Sequence, residues 1–328
     1  MNKILKSVKV FASITLATIM VFSASIAAFA ADASGVTASI SDIIKNQNSD
    51  GGWKKDYKTT SGDWAKSTID NKATYTEIRR LAADYKEKGT AKSKEACLNG
   101  INFLLKMQYP NGGWPQIYGT TSEEYHMYIT YNDDGMINVM ILLDDISKKS
   151  GDFSWVDDGT AKKCTGAVTK GVDCILKTQV NVNGTLTVWG QQHNQNTLKP
   201  AEARAYEVPS LCAKESVNIV KFLQTRNQTP EIQNSINAAI AWLKNVKISG
   251  IKVDKIYDST GKKVIDAKVA ADPSAPAIWA RFYEIGTNKP IFAGRDSKVK
   301  YNLADIEQER RAGYSWYGYW ATTGLDIR

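Results

Sequence analysis

The feature that most restricts what this chain can fold into is a segment that recurs. Ile43-Ile44-Lys45-Asn46-Gln47 runs on to Asp50-Gly51-Gly52-Trp53, and Leu104-Leu105-Lys106-Met107-Gln108 runs on to Asn111-Gly112-Gly113-Trp114, with one offset from Gln to Trp in both. Ile175-Leu176-Lys177-Thr178-Gln179 begins a third, stretched copy that reaches Gly184 and Trp189. Trp242-Leu243-Lys244-Asn245-Val246 is a degenerate fourth. The copies start 61, 71 and 67 residues apart, enough for a helical hairpin and a loop in each.

Each copy closes a run in which apolar residues recur at three- and four-residue steps, as in Ala96, Leu98, Ile101, Leu104 and Leu105. The Gly-Gly pair is expected to end that helix with positive-φ residues. Further helical runs are read at 71–86, 130–148, 206–223 and 302–311. Helix pairs repeating about an axis predict a mainly α fold, an α/α toroid in which each pair buries its face against the next. One segment breaks this pattern. Residues 251–257 alternate, Asp258-Ser259-Thr260-Gly261 is a turn, and Lys263-Val264-Ile265 follows, which together read as an inserted β-hairpin.

Before the first copy lie Lys3, Lys6 and Lys9, an apolar run, and Ala28-Phe29-Ala30. This is read as a signal peptide over residues 1–30 rather than a membrane anchor, which makes the protein secreted. No low-complexity linker divides the remainder, so residues 31–328 are expected to form one catalytic domain with a short mobile start at 31–35. Loss of the first thirty residues removes three lysines and no acid, taking the net charge from +8 to +5. A basic secreted protein suits a polyanion. There is no Lys/Arg run and no nucleic-acid motif, so neither nucleic acid nor a membrane is an expected partner, and the protein is expected to be a monomer. Cys97, Cys164, Cys174 and Cys212 carry no CxxC spacing and are compatible with buried thiols or with a disulfide. His126 and His193 are the only histidines, too few for a zinc site built on imidazoles.

Three clusters carry chemistry. In Thr68-Ile69-Asp70-Asn71-Lys72-Ala73-Thr74, at a helix start, Asp70 or Asn71 is either a helix cap or a ligand. In Tyr131-Asn132-Asp133-Asp134-Gly135-Met136 the adjacent carboxylates either cap a helix or, with something positive between them, hold Ca²⁺ through oxygen ligands. The spacing is not that of an EF-hand, so such a site would be assembled from separate loops. The third cluster runs from Trp189-Gly190-Gln191-Gln192-His193 to Lys199-Pro200-Ala201-Glu202-Ala203-Arg204-Ala205-Tyr206-Glu207. Its mixture of bases and acids suits acid/base catalysis or a structural salt-bridge network.

TIDNKATYTEIRRLA, YPNGGWPQ, YITYNDDGMINVM, VWGQQH with TLKPAEARAYE, RFYEIGTNKPIFAGRD and YNLADIEQERRAGYSWYGYW, in this order, resemble pectate lyases of polysaccharide lyase family 10. The resemblance spans residues 43–320. It implies an (α/α)₃ toroid with a wide cleft and calcium-assisted β-elimination on α-1,4-linked polygalacturonate, leaving 4,5-unsaturated oligogalacturonides. It also implies Ca²⁺ at Asp70 and Asp134, with Asp133 as a neighbour, and Arg204 as the base. Arginine normally stays protonated, so nearby like charges and exclusion of water would have to disfavour its charged form. Lys199 is the chemically easier base should Arg204 fail. Substrate contacts are implied for Lys199, Arg281, Arg295, Tyr131 and His193. A guanidinium fork at Arg281 or Arg295 fits a uronate carboxylate, the alternative being ion pairs with Glu284 and Asp296. Trp114, Trp189 and Trp316 either stack on sugar rings or fill the core. Two places depart from the family pattern: Asn194-Gln195 follow the QQH where Asp-Pro is usual, and Lys72 stands where a small or acidic residue is common. Two other readings remain open on these residues, an (α/α) barrel glycoside hydrolase using Glu202 and Glu207, and a non-catalytic pectin-binding module.

Overall fold

The structure, a computed structural model, describes residues 34–120 and 125–327. The leader read at 1–30 therefore lies outside the described residues. Two short helices, α1 (Ser34–Thr37) and α2 (Ile40–Lys45), lead into three helix hairpins. These are α3 (Tyr75–Lys88) with α4 (Ala91–Met107), α5 (Gly135–Ser147) with α6 (Asp158–Thr178), and α7 (Ala213–Gln224) with α8 (Pro230–Asn245). Local chemistry sets their ends. Asp157 accepts the Thr160 N–H at the start of α6, and Thr229 accepts the Ile232 N–H at the start of α8, where Pro230 occupies the first turn. Gly89 ends α3 at φ 69, its N–H on the Tyr85 carbonyl.

The repeat is a set of shared hydrogen bonds. The indole N–H of Trp53 donates to the Ile43 carbonyl at 2.8 Å, that of Trp114 to Leu104 at 2.9 Å, and that of Trp189 to Ile175 at 2.7 Å. Each indole thereby donates to a carbonyl in the last turns of a helix, where in-helix donors run out; the Ile175 carbonyl is shared with the Gln179 N–H and the Thr178 hydroxyl. Trp279 does the same for Leu243 at 2.8 Å, one position later in the pattern and with the hairpin lying in between. The glutamines at this repeated offset staple each loop to the second helix of the next pair, α4, α6 and α8 in turn. Gln47 donates to Gly51 and Ala96, Gln108 to Gly112 and Ala167, and Gln179 to Thr187 and Ser235. The first glycine of each Gly-Gly pair has positive φ, 97° at Gly51 and 93° at Gly112, but it sits in a turn beyond the helix end. The C-caps are Asn46 and Gln108. Glycine is needed there for approach as well, because a Cβ on Gly112 would lie 2.0 Å from the Lys170 carbonyl oxygen.

The expectation of an (α/α)₃ toroid is not met. The strands form one four-stranded and four two-stranded sheets, and no closed barrel results. The helices pack stepwise, α3 on α5 and α5 on α7 along one layer, α4 on α6 and α6 on α8 along the other, with α2 against α3 and α4. After α8 the repetition stops. The fourth copy continues into the hairpin Ile251–Tyr257 with Val264–Ala271, as read from the alternation, and then into a sheet built on Phe282–Tyr283 and Pro290–Ala293. Only two six-residue helices follow, α9 (Gln308–Gly313) and α10 (Trp320–Leu325). The helix read over 302–311 is reduced to α9 because it has no buried residue to hold a longer one, and Ile306 is extended. A main core runs through the helix pairs, while Phe282, Ile291, Phe292, Leu303 and Trp316 form a second one under the late sheet. All four cysteines are free and buried, which decides for thiols over a disulfide.

Candidate active site

Backbone pairing repeats along the molecule and sets the site. The N–H groups of Thr68, Thr130 and Cys212 donate to the carbonyls of Trp53, Trp114 and Trp189. The next residues, Ile69, Tyr131 and Ala213, donate to Gln116, Gln191 and Arg281. The residue two places after Trp114, Trp189 and Trp279, which is Gln116, Gln191 or Arg281, is therefore carried to the start of the first helix of the preceding pair, α3, α5 or α7. Each side chain reaches a polar partner there. Gln116 Nε2 donates to Asp70 Oδ1 at 2.9 Å, Gln191 Nε2 to Asn132 Oδ1 at 2.6 Å, and Arg281 Nη2 to Glu215 Oε1 at 2.6 Å.

At the first of these places the buried Asp70 also receives Lys55 Nζ at 3.0 Å, and Lys55 lies 5.3 Å from the ring of the exposed Trp64. At the last, Glu215 is fully buried and takes Arg281, Lys214 at 3.0 Å and the Cys212 thiol at 2.6 Å. Burial opposes its charge, but Arg281 and Lys214 outweigh that and hold Glu215 down to about 2. Arg281 lies 4.5 Å from the Tyr314 ring, and its Nη2 is 3.9 Å from Asp133. Lys214 also reaches Asp133, at 3.4 Å.

The acids at the two helix starts are not caps. Thr74 and Asp134 occupy the N-cap positions of α3 and α5, and neither makes a side-chain cap hydrogen bond. Both turns are wound through left-handed backbone: Asn71 at φ 44, Lys72 at 75 and Thr74 at 70 in one, Asp133 at 49 and Asp134 at 61 in the other. Each such non-glycine residue costs about 1–3 kcal/mol, a strain that concentrates where side chains must be aimed. Asp134 is half-buried, and its Oδ1, shielded from solvent, has no hydrogen-bond partner. Burial, only partly offset by Lys214, raises it to about 6. The two turns that carry Asp70 and Asp133–Asp134 pack against each other, and all three acids act electrostatically on the Tyr75 hydroxyl.

Arg204 is 42% exposed at its side chain and is held by the buried Glu207, with Nε on Oε2 at 2.8 Å and Nη2 on Oε1 at 2.5 Å. Its guanidinium packs 5.0 Å from Tyr206 and 5.8 Å from Tyr314. Burial works against the charge on Arg204, yet the Glu207 hydrogen bond and charge prevail, and the guanidinium is held above its ordinary range. Tyr314 donates to Glu207 at 2.8 Å, and Gln191 Nε2 donates to Tyr314 at 3.1 Å. A continuous polar chain thus runs from Arg281 through Asn132, Gln191, Tyr314 and Glu207 to Arg204.

The other expected residues are placed differently. His193 and Tyr131 are fully buried beneath this chain. The His193 ring takes the Gly190 N–H on Nε2 at 2.9 Å and meets the Leu198 carbonyl with Nδ1 at 2.8 Å, which makes it the neutral Nδ1–H form; burial lowers it to about 4. Tyr131 shares a 2.7 Å hydrogen bond with Thr178. Lys199 is exposed, and Arg295 is exposed and paired with Glu309 at 2.6 Å rather than with Asp296. Arg281 pairs with Glu215 rather than Glu284. Trp114, Trp189 and Trp316 are core. Asn194 turns the loop after the QQH, accepting the N–H groups of Asn196 and Thr197. Lys55, Asn132, Gln191, Lys214, Glu215 and Tyr314 were not singled out in the sequence. The position two residues after each repeat tryptophan was the signal that could have found Lys55, Gln191 and Arg281 together.

Arginines and lysines paired with acids, from the buried Arg281 to the half-exposed Arg204, beside a strained acidic turn, form an arrangement that suits an anionic polymer. The family model for pectic acid lyases matches residues 34–324. The family 10 polysaccharide lyase from Cellvibrio cellulosa is 35% identical with a TM-score of 0.78, covering 89% of this chain and 92% of that one. A mutant of the same enzyme in complex with trigalacturonic acid is 35% identical with a TM-score of 0.78, over 88% and 91% of the two chains. No curated protein matches the chain. The chain belongs to the pectic acid lyase family, polysaccharide lyase family 10, and is a lyase acting on polysaccharide.

Proposed function

We propose that this pectate lyase is a secreted, single-domain enzyme that cleaves polygalacturonate by anti β-elimination with Arg204 as base. The observation that carries this reading is the polar chain that joins the buried Arg281, 3.9 Å from Asp133, to the half-exposed Arg204. The complex of the Cellvibrio cellulosa relative with trigalacturonic acid supports the substrate. No helix among the described residues is long and apolar enough to cross a membrane, which is consistent with secretion.

Among the described residues no three His, Cys, Asp or Glu side chains are arranged to hold a metal by themselves. The unpartnered, buried Asp134 oxygen and the carboxylates of Asp70 and Asp133 nevertheless fit Ca²⁺, a hard ion that takes oxygen ligands and can fill its shell from water and a bound uronate. Bound there, it would withdraw electron density from the uronate carboxylate and so acidify the C5 proton.

The protein's own residues do the rest. Lys199 and Arg295, exposed, meet uronate carboxylates along the polymer. Arg281, anchored by Glu215, presents charge from a fixed position, and the buried Tyr131 and His193 hold the loops that bear Asn132 and Gln191. The resting Arg204–Glu207 pair is ionised, so the acceptor has to be made: movement of an Nη2 proton to Glu207 leaves a neutral guanidine beside a neutral acid. A polymer lying over Arg204 removes water from a group that is now 42% exposed, and burial lowers a guanidinium pKa. Arg204 then takes the C5 proton, the C4–O4 bond breaks to give the unsaturated end, and the departing O4 takes a proton from solvent.

The test is the ultraviolet absorbance of the 4,5-unsaturated product from polygalacturonate. Arg204→Ala is expected to lose about 10²–10⁴-fold in kcat, the usual contribution of a proton-transfer group. Retained turnover in that variant alongside loss in Lys199→Ala assigns the base to Lys199. New reducing ends without absorbance would overturn elimination, and chelator-resistant activity would remove calcium.

A further inference from the structure

We infer that the groove between the Asn181–Leu186 hairpin and α8 is a second carbohydrate site, one that binds an uncharged oligosaccharide. Its origin lies in the repeat. Gln and Trp are six residues apart in the first two copies and ten apart in the third, from Gln179 to Trp189. The extra residues form a two-stranded hairpin, Asn181–Val182 with Thr185–Leu186, turned at Asn183 (φ 51) and Gly184 (φ 89). That pair of positive φ values is the two-residue turn that suits tight hairpins, and Asn181 Oδ1 locks it by accepting the Gly184 N–H at 2.7 Å.

Between this hairpin and α8 lies a cavity of about 970 Å³, at the upper end of the size of ligand sites. It shares no residue with the candidate active site. Asn181, Asn183, Asn234, Asn245 and Asn288 line it, joined by Thr185 and Thr187, and no charged side chain does. On α8 the lining residues Asn234, Ala238, Ala241 and Asn245 recur at steps of four, three and four, so they form one stripe along the helix. Trp242 closes the floor, its indole N–H fixed on Asn288 Oδ1 at 2.8 Å, which leaves the Asn288 NH₂ to donate elsewhere.

The chemistry of this lining selects its ligand. A primary amide offers two donors and an acceptor in one plane, the pattern that matches neighbouring hydroxyls on a sugar. Ala238, Ala241 and Leu186 supply the apolar strip on which the C–H face of a pyranose rests. A uronate would bring its carboxylate to a place without a cation, and that loss of hydration would go uncompensated. The active face, with Arg204, Arg281 and Lys214, has the opposite character. A neutral-sugar site on the same molecule would hold the lyase against the uncharged parts of a mixed polysaccharide and raise the local concentration of uronate at the active face.

Titration calorimetry of the whole protein with β-1,4-galactotetraose, α-1,5-arabinotetraose, cellotetraose and trigalacturonic acid tests this. At least one neutral tetrasaccharide is expected to bind at millimolar concentration or below. The variant carrying Asn234→Ala and Asn245→Ala alters two exposed helix positions at which alanine is the better helix former, and an unchanged thermal midpoint checks its fold. It should lose roughly tenfold or more of the neutral-sugar affinity, as expected for two hydrogen bonds, with turnover of soluble polygalacturonate unchanged. Absence of binding by all three neutral sugars, full affinity in the double variant, or displacement of the neutral sugar by trigalacturonic acid overturns the inference. Because turnover of polygalacturonate is read separately, failure of the groove and failure of the lyase reading give different results.

Discussion

Glu215, fully buried, and Asp134, half-buried with one oxygen shielded from solvent, are carboxylates at the starts of neighbouring helices, and their environments drive them apart. Glu215 has Arg281, Lys214 and a thiol on it and stays ionised down to about 2. Asp134 has one oxygen with no partner and is raised to about 6, chiefly by burial. One acid is fully compensated within the fold, whereas the other awaits a positive charge. Such a division between compensated and uncompensated groups is how one site holds a rigid anchor beside a ligand position.

Removing the compensated acid should have the largest effect. Glu215→Ala leaves Arg281 and Lys214 buried without their counter-charge, and breaking a buried pair in this way costs about 3–5 kcal/mol. Denaturant unfolding at neutral pH measures it. A loss under 1 kcal/mol would mean that Asp133 takes over both cations, and the contrast with Asp134 would fail. The pH dependence has a definite sign. Because the folded pKa of Glu215 is depressed, its contribution is complete above the ordinary carboxylate range and is lost as pH falls toward about 2.

Asp134→Asn should act in the other direction. A raised folded pKa means that the protonated acid is favoured in the fold, so its contribution is present below about 4 and lost as pH rises through about 6. The amide cannot ionise, so the variant should gain about 3 kcal/mol over wild type at pH 8 and almost nothing at pH 4. Equal stability of the two proteins at every pH would show Asp134 already compensated. The same substitution should abolish the stabilisation that added Ca²⁺ gives wild type, measured as a shift in thermal midpoint without any substrate.

Asp70 lies between these extremes, with Lys55 and Gln116 as its donors. Gln116→Leu removes one hydrogen bond to a charged group, for about 1.5 kcal/mol, and an unchanged stability would place Asp70 with the fully compensated acids. Because the Gln116 Oε1 is itself unpartnered, the loss should fall at the low end of the range for charged hydrogen bonds.

Why part of this was legible in the sequence follows from how each contact is made. The repeat could be read because its hydrogen bonds join residues at short, fixed offsets, Gln47 with Gly51 and Trp53 with Ile43. Asp70, Asp134, Arg204 and Arg281 could be singled out as candidates because they fall in recognisable motifs. The pairing of Arg281 with Glu215 crosses 66 residues, and that of Gln191 with Asn132 crosses 59, so no local pattern announces them. The nearby acids Glu284 and Asp296 were the natural but wrong partners for Arg281 and Arg295. A toroid was expected because the first three copies are regular. It failed in the fourth, where strands with no helical periodicity follow Val246 and close the sequence of helix pairs with small sheets.

The smallest expected effect tests whether the fourth copy is an energetic member of the repeat. Trp53, Trp114, Trp189 and Trp279 are all fully buried, and each gives its indole N–H to one helix carbonyl. Replacement of any one of them by phenylalanine keeps an aromatic ring and loses that bond, at a cost of about 1 kcal/mol for the hydrogen bond. Volume lost with the second ring adds to this at every position alike. If the bond is the common element, the four single variants lose stability to within about 0.5 kcal/mol of one another in denaturant unfolding. A Trp279→Phe loss well below the other three would show that the one-residue shift to Leu243 has uncoupled the last copy, leaving its indole as a packing group on a helix end that no longer depends on it.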